Sequence, residues 1–349
     1  MIDDARKKKI SSSIKRVFPT VDNALEIVSK RAYLDQAKSQ LESMELIESK
    51  ESVLENLDSV YENAHSGLEK IKAGNERALT DQEAISTEAV ILLEKRPPIL
   101  IENNRFVSPP PEWQILENFR NEIEESILSV GRVNLSGNLN FDWVGTAFLV
   151  AEDVLMTNRH VAIEFSEGQG AEWAFKQGQS ARVDYGQDAS LLNHNEFRIN
   201  GIIGVHDKYD LALLRVSGAN GGKFPEPLKL AESVDESNIA NKQVYVLGFP
   251  ARDSRRNDPI EMDRIFQNIY NIKRLQPGTI MSMSQDDEGI VFHDASTLGG
   301  NSGSCVIDLR NNQVVGLHFG GRYLEKNNAV ALWKLANDRL LQDAGVNFQ

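Results

Sequence analysis

Ser302 stands in Ser296-Thr297-Leu298-Gly299-Gly300-Asn301-Ser302-Gly303-Ser304-Cys305-Val306, a serine flanked by glycines and running into an apolar strand. Glycine at 300 and 303 permits a tight turn, in which successive backbone N–H groups converge beside one hydroxyl. Acyl transfer needs that pairing: a nucleophile, and donors aimed at the oxyanion it creates. A serine hydroxyl attacks poorly until a base takes its proton, and an imidazole base needs a carboxylate to fix its tautomer. Candidates for both stand upstream. Thr157-Asn158-Arg159-His160-Val161-Ala162 follows two apolar segments, 145–150 and 154–156, which read as a hairpin delivering His160 at a strand end. Lys208-Tyr209-Asp210-Leu211-Ala212 sets one acid at the mouth of another apolar strand.

Each motif has a plain reading as well. A Gly/Asn/Ser run can be a simple turn, His160 a structural histidine and Asp210 a strand-end cap. The three together, in this order, assign the chemistry. His65, His194, His206 and His293 lack comparable flanks, although His206 lies near Asp210. Spaced Cys/His ligands, a phosphate-binding G-K-[ST] loop and a dinucleotide glycine loop are all missing, so neither metal nor cofactor is expected. Cys305 is the single cysteine and precludes an intrachain disulfide; it reads as a small buried hydrophobe.

The order His160, Asp210, Ser302 resembles the chymotrypsin-type serine proteases, especially the bacterial high-temperature-requirement proteases and V8-like glutamyl endopeptidases. The resemblance runs from about Val130 to the C-terminus and leaves out the first third of the chain. It implies a mainly β fold of two six-stranded antiparallel barrels with the active site between them. It implies Ser302 as nucleophile, His160 as base and then acid, and Asp210 as the group that orients the imidazole. The N–H groups of Gly300 and Ser302 would form the oxyanion hole. Asn301 stands where digestive enzymes carry an aspartate that pairs with a new N-terminus, so that route of activation has no partner here. Ser296 falls at the floor of the primary pocket, which disfavours Lys or Arg at P1. Thr297 and His318 match positions that contact a substrate carboxylate in the glutamyl enzymes, a protonated His318 adding charge, so an acidic P1 side chain is the leading choice.

The elements that must position these groups can be followed along the chain. Residues 4–16 form a basic stretch, read as a solvated helix face or frayed end. Helical spacing follows through 21–44 and again from Val53 to Ile71, and Ala73-Gly74-Asn75 stops it. Thr80-Asp81-Gln82-Glu83 is a capping box opening a helix to about Leu93. Ile99–Val107 reads as a hairpin with Asn103-Asn104 at its tip, and Pro109-Pro110-Pro111 as a linker. The expected domains are thus a helical region over 1–110, a connecting helix over 111–128 and a β-rich protease domain over 129–349. Within the last, 251–277 reads as a basic insertion with a capped helix, and 328–344 as a terminal helix.

Net charge is −13 and spread over the chain, with no basic face for nucleic acid. No apolar run approaches the ~18 residues that span a bilayer. The basic, Ser-rich start has no apolar core of a secretory signal, and the expectation is a cytoplasmic, bacterial protein. Its expected partners are a protein or peptide substrate, and a regulatory protein or a second copy of itself through the N-terminal helices. Two function classes stay open: an intracellular serine endopeptidase, and a catalytically silent protease-like scaffold that binds peptides or adapts partners.

Overall fold

The computed structural model describes residues 3–18, 20–30, 50–87, 96–170, 172–190, 195–217, 224–252, 266, 269–322 and 326–349. The chain divides into a helical unit (Met1–Pro98, Ser108–Ile115, Ser254–Ile269) and a β unit (Ile99–Val107, Leu116–Asp253, Tyr270–Gln349).

The β unit opens with a hairpin, β1 (Ile99–Glu102) and β2 (Arg105–Phe106). Asn103 and Asn104 form its tip at φ 51° and 61°, the left-handed pair that a two-residue hairpin loop requires. The first barrel contains β3 (Val130–Ser136), β4 (Trp143–Ala151), β5 (Val154–Thr157), β8 (Ser180–Asp184), β9 (Glu196–Val205) and β10 (Ala212–Ser217). A separate hairpin, β6 (Ser166–Gln169) and β7 (Glu172–Phe175), lies between β5 and β8 in sequence. Hydrogen bonding runs β10-β5-β4-β3-β8-β9 and closes through β9–β10. The second barrel contains β11 (Gln243–Gly248), β12 (Arg274–Met283), β13 (Ile290–His293), β14 (Cys305–Asp308), β15 (Val314–Arg322) and β16 (Lys326–Ala331). Its order is β11-β14-β15-β16-β13-β12, closed by β11–β12, and β1 joins the outside of β12 at Ile99 and Leu275. Alternating inward residues fill each barrel: Val133, Leu149, Leu155 and Val183 in the first, Val244, Val246, Ile280 and Val306 in the second. The expected double six-stranded barrel is therefore the fold.

Several local expectations are corrected. His160 lies not on a strand end but in a single helical turn, Arg159–Ala162, that follows β5. The connecting helix is broken: Pro111–Phe119 is 3₁₀, with Trp113 at φ −116° outside helical space, and only Arg120–Leu128 is α-helical. The 328–344 helix is instead the end of β16, a 3₁₀ turn over Leu332–Leu335 and a short helix over Arg339–Asp343. Its run Ala329-Val330-Ala331-Leu332 is fully buried, and a short buried strand has no period that separates it from a helix. The 251–277 insertion ends earlier than expected, because β12 begins at Arg274. Lys273 and Arg274 belong to the interior. Lys273 Nζ donates to the carbonyls of Ile127 and Tyr185, both at 2.8 Å, and burial pushes its pKa down to about 8. The helix expected inside that insertion lies outside the described residues. Among the described residues no helix is long and apolar enough to cross a membrane.

In the helical unit, α1 (Asp4–Val17), α2 (Val21–Lys30) and α3 (Lys50–Lys72) bury one stripe each. The stripes are Ile10 and Ile14 on α1; Ala24, Leu25 and Val28 on α2; and Val60, Tyr61, Ala64, Leu68 and Ile71 on α3. The second half of the 21–44 reading lies outside the described residues. Helix α3 stops as its sequence dictates. Gly74 takes φ 72°, its N–H donates to Ile71 O, and the Asn75 N–H reaches back to Lys70 O. The capping box also forms, with Glu83 N–H on Thr80 Oγ1 (3.1 Å) and Thr80 N–H on Glu83 Oε2 (2.8 Å). Helix follows over 81–87, and the rest of that expected element lies outside the described residues.

Glu83 also accepts from Lys70 Nζ and Ser66 Oγ at 2.6 Å each, tying its helix to α3. Burial would raise its pKa, but the bonds from Lys70, Ser66 and Thr80 outweigh that and lower it to about 2. A carboxyl depressed on folding stabilises the fold above its unfolded pKa near 4.5, and that contribution is lost as pH falls toward 2. Helical circular dichroism should therefore weaken across that acid window. Glu83→Gln should blunt the pH dependence and lower stability at pH 7 by about 1–3 kcal/mol.

Candidate active site

Asp210 and His160, fifty residues apart, are joined twice. Asp210 Oδ2 lies 2.6 Å from His160 Nδ1, and its Oδ1 accepts the His160 backbone N–H at 3.0 Å. One carboxylate thus fixes both the ring and the backbone that carries it, and puts the ring proton on Nδ1 so that Nε2 can act as base. Buried Asn158 adds a third tie by donating to Asp210 O at 2.9 Å. Arg159 donates to the carbonyls of His206 and of Tyr209, the latter at 2.9 Å. Burial of Asp210 opposes its ionisation, but the bonds from His160 and the charge of Arg159 prevail, and its pKa lies below the ordinary value.

Ser302 is presented by a loop that the first barrel grips. Thr146, on β4, donates its N–H to Ser302 O at 2.8 Å and its hydroxyl to Gly300 O at 2.9 Å. Thr157, at the end of β5, donates to Thr146 O at 2.7 Å. Gly303 passes so close that a Cβ there would sit 2.0 Å from Thr146 O, and its φ of 88° also demands glycine. Gly300, at φ 85°, is as tightly enclosed by Phe249 O and the Trp143 ring. Gly145 lies between the two halves of the site, since a Cβ there would meet both Ser302 O and Val161 Cγ2 at 2.8 Å. Among the described residues, the Gly300 and Ser302 backbone N–H groups donate to no acceptor, and Ser302 Oγ makes no hydrogen bond with His160. The serine–histidine bond in such sites commonly tightens only with substrate.

The residues assigned to substrate contact lie around β13, β15 and β16. His318 is 2% exposed, and its Nδ1 lies 3.1 Å from Nε2 of fully buried His293. Burial, and then the neighbouring His293 and His160, hold the His318 pKa well below its usual value; burial lowers that of His293 to about 3. A ring so placed takes up a proton less readily, which opposes the charge expected of it. Thr297 Oγ1 donates to Asn327 Oδ1 at 2.9 Å, and Asn327 Nδ2 donates to Ala295 O at 2.6 Å. Ser296 Oγ is buried with no partner. Asn301 is fully buried and takes a bond from Gln276 Nε2 at 2.9 Å, so a neutral amide closes the space behind the serine.

Sequence reasoning missed Asn158, His293, Asn327, Gln276 and His206. His293 was open to discovery, because a histidine alternating with Val291 on an apolar strand points its ring inward and needs a polar partner there. Asn158 and His206 act through backbone contacts, and Gln276 and Asn327 through side chains distant in sequence, so none leaves a spacing signature. Cys305 is buried, and burial raises its thiol pKa to about 12, which keeps it unreactive. Among the described residues no cluster of three or more His, Cys, Asp or Glu could hold a metal ion.

The family model for the trypsin-like peptidase domain matches residues 145–317. A "probable serine protease" of Lysobacter enzymogenes is 28% identical over 233 residues, 58% of this chain and 59% of that protein. The glutamyl endopeptidase of Staphylococcus epidermidis is 25% identical over 190 residues, 53% of this chain and 57% of its own. The chain thus spans less than two thirds of the length of these curated relatives. Among solved structures, the active form of a protease from M. tuberculosis is 20% identical with a TM-score of 0.45, covering 72% of this chain and 92% of that one. A serine endoprotease from Yersinia pestis is 15% identical with a TM-score of 0.44, covering 65% and 67%.

Two buried neutral histidines make the β unit acid-sensitive in a defined direction. Each ring binds its proton less readily folded than unfolded, so stability falls as pH drops below the ordinary value near 6.5 and the unfolded chain takes up protons first. Ring signals of His293 and His318 in NMR should stay flat from pH 8 to pH 5, while the unfolding midpoint declines. His293→Asn should weaken that decline.

Proposed function

We propose that the chain is a serine endopeptidase of the trypsin-like kind, whose family model matches residues 145–317, and that Ser302, His160 and Asp210 act as one acyl-transfer unit. The observation that carries this reading is the pair of hydrogen bonds between Asp210 and His160, which fixes the ring and leaves Nε2 as its basic nitrogen. Ser302 Oγ attacks the carbonyl carbon of the scissile peptide while its proton passes to His160 Nε2. The N–H groups of Gly300 and Ser302 receive the oxyanion, and each such donor is worth ~10²–10³ in turnover. Collapse breaks the C–N bond, and His160 returns the proton to the leaving amine. Water then repeats the sequence on the acyl-serine ester, releasing the carboxylate product and restoring the hydroxyl. Asp210 stays ionised throughout and steadies the imidazolium.

Substrate choice follows from donors without formal charge. Of the two ways to share one proton between His293 and His318, the less costly leaves orphaned His293 Nδ1 as a bare acceptor. His293 Nε2–H then donates to His318 Nδ1, and His318 Nε2–H remains for a ligand. With the unpartnered Ser296 hydroxyl this makes a pocket of donors, the Thr297 hydroxyl being already given to Asn327, and we infer a P1 side chain that accepts hydrogen bonds, glutamate foremost.

A fluorophosphonate probe should label wild-type chain at Ser302 and leave Ser302→Ala unlabelled, and Ser302→Ala and His160→Ala should each remove essentially all peptide hydrolysis without loss of fold. Folded wild-type chain that resists the probe would point instead to a silent peptide-binding scaffold. Peptides differing only at P1 (Glu, Gln, Asp, Leu, Arg) should rank Glu first in kcat/KM. His318→Ala should erase that ranking, whereas a wild-type preference for Leu or Arg would overturn the pocket reading.

A further inference from the structure

The turn that carries Asp210 is closed by a histidine with no part in the chemistry above. His206 Nδ1 accepts two backbone N–H groups at once, from Lys208 at 3.1 Å and from Tyr209 at 3.0 Å. The His206 N–H donates to Leu211 O at 2.9 Å, so ring and backbone together close the loop over 206–211. Its Nε2 lies 3.3 Å from Asp338 Oδ2, and Asp338 also caps the last helix by accepting the Leu341 N–H at 3.3 Å. The His206 carbonyl takes a bond from Arg159, the neighbour of His160. The ring is 11% exposed.

We propose that His206 is a positioning residue for Asp210, holding the 206–211 turn through the bare lone pair of Nδ1, so that loss of this acceptor loosens the Asp210–His160 pair. Two N–H groups aimed at Nδ1 make that nitrogen the acceptor, and the ring N–H then sits on Nε2, facing Asp338. A side chain with no acceptor at that point would break both loop bonds together. The Tyr209 ring lies 5.2 Å away, and the Lys208 ammonium is directed to Asp287. Once the turn loosens, Asp210 loses the backbone position from which it holds His160 in two places.

This inference rests on the protease reading, and the test separates the two. In the full chain, His206→Phe keeps the ring but loses the acceptor; His206→Asn keeps an acceptor near the place of Nδ1. His206→Phe should lower kcat about tenfold or more, with KM within about threefold, because misplacing a catalytic group chiefly costs turnover. His206→Asn should restore most of kcat. Independently of any hydrolysis, the low-field NMR signal of the His160 Nδ1 proton should be present in wild type and His206→Asn and weakened or shifted in His206→Phe. A wild-type chain that cleaves no peptide would defeat the protease reading, and the NMR comparison would still decide the role of His206. Unchanged kcat in folded His206→Phe, or a kcat that folded His206→Asn does not restore, would overturn the proposal. Should His206→Phe fail to fold, the kcat and NMR signal of His206→Asn decide it alone.

Discussion

The site depends on one crossing, where Thr146 of the first barrel donates its backbone N–H to the carbonyl of Ser302 in the second. On the proposed mechanism, a base on one barrel and a nucleophile on the other are useful only at fixed separation, and misplacement by an ångström is costly. Thr146 fixes that separation with one residue: its N–H holds Ser302, its hydroxyl holds Gly300, and its carbonyl takes the Thr157 hydroxyl. The two glycines follow from this grip, since a side chain at 300 or 303 would fill the space in which the crossing closes. The sequence spacing around Ser302 therefore reflects contact with another barrel as much as the demands of the oxyanion.

Much of this was legible in the residues. Gly300 and Gly303 announced a turn with positive φ, and both have it; the Asn103-Asn104 tip and the Thr80–Glu83 capping box formed where their local chemistry requires. The paired barrels followed from the resemblance carried by three ordered motifs, because periodicity alone does not say which strands close upon which. What failed to show was decided by tertiary burial. Ala329-Val330-Ala331-Leu332 has no polar face to set a period, and the closed barrel takes most of it as strand. Lys273 and Arg274 counted toward a basic insertion in the sequence, yet both lie inside; Lys273 is tolerated because Ile127 and Tyr185 offer carbonyls. His206 looked idle for a similar reason: its partners are two backbone amides, which any sequence supplies.

Around the site, the same burial acts in opposite ways, and counting hydrogen bonds explains why. His293 and His318 have each other and little else, so desolvation governs and both rings stay neutral. Asp210 is also partly buried, yet it receives the ring and backbone bonds of His160 with Arg159 close by, and these outweigh the same penalty. Tyr185, buried with its hydroxyl unpartnered, is a limiting case in which burial alone drives the pKa upward. The unit accordingly holds its fixed negative charge at Asp210 and withholds charge from the pocket histidines. A base beside an ionised carboxylate can accept a proton, whereas a cationic pocket wall would draw down the same field and make His160 a weaker base. In the proposed pocket, neutral donors at His318 and Ser296 would recognise an acceptor side chain without that conflict, which is a physical reason for His293 and His318 to be buried deeply enough to stay uncharged.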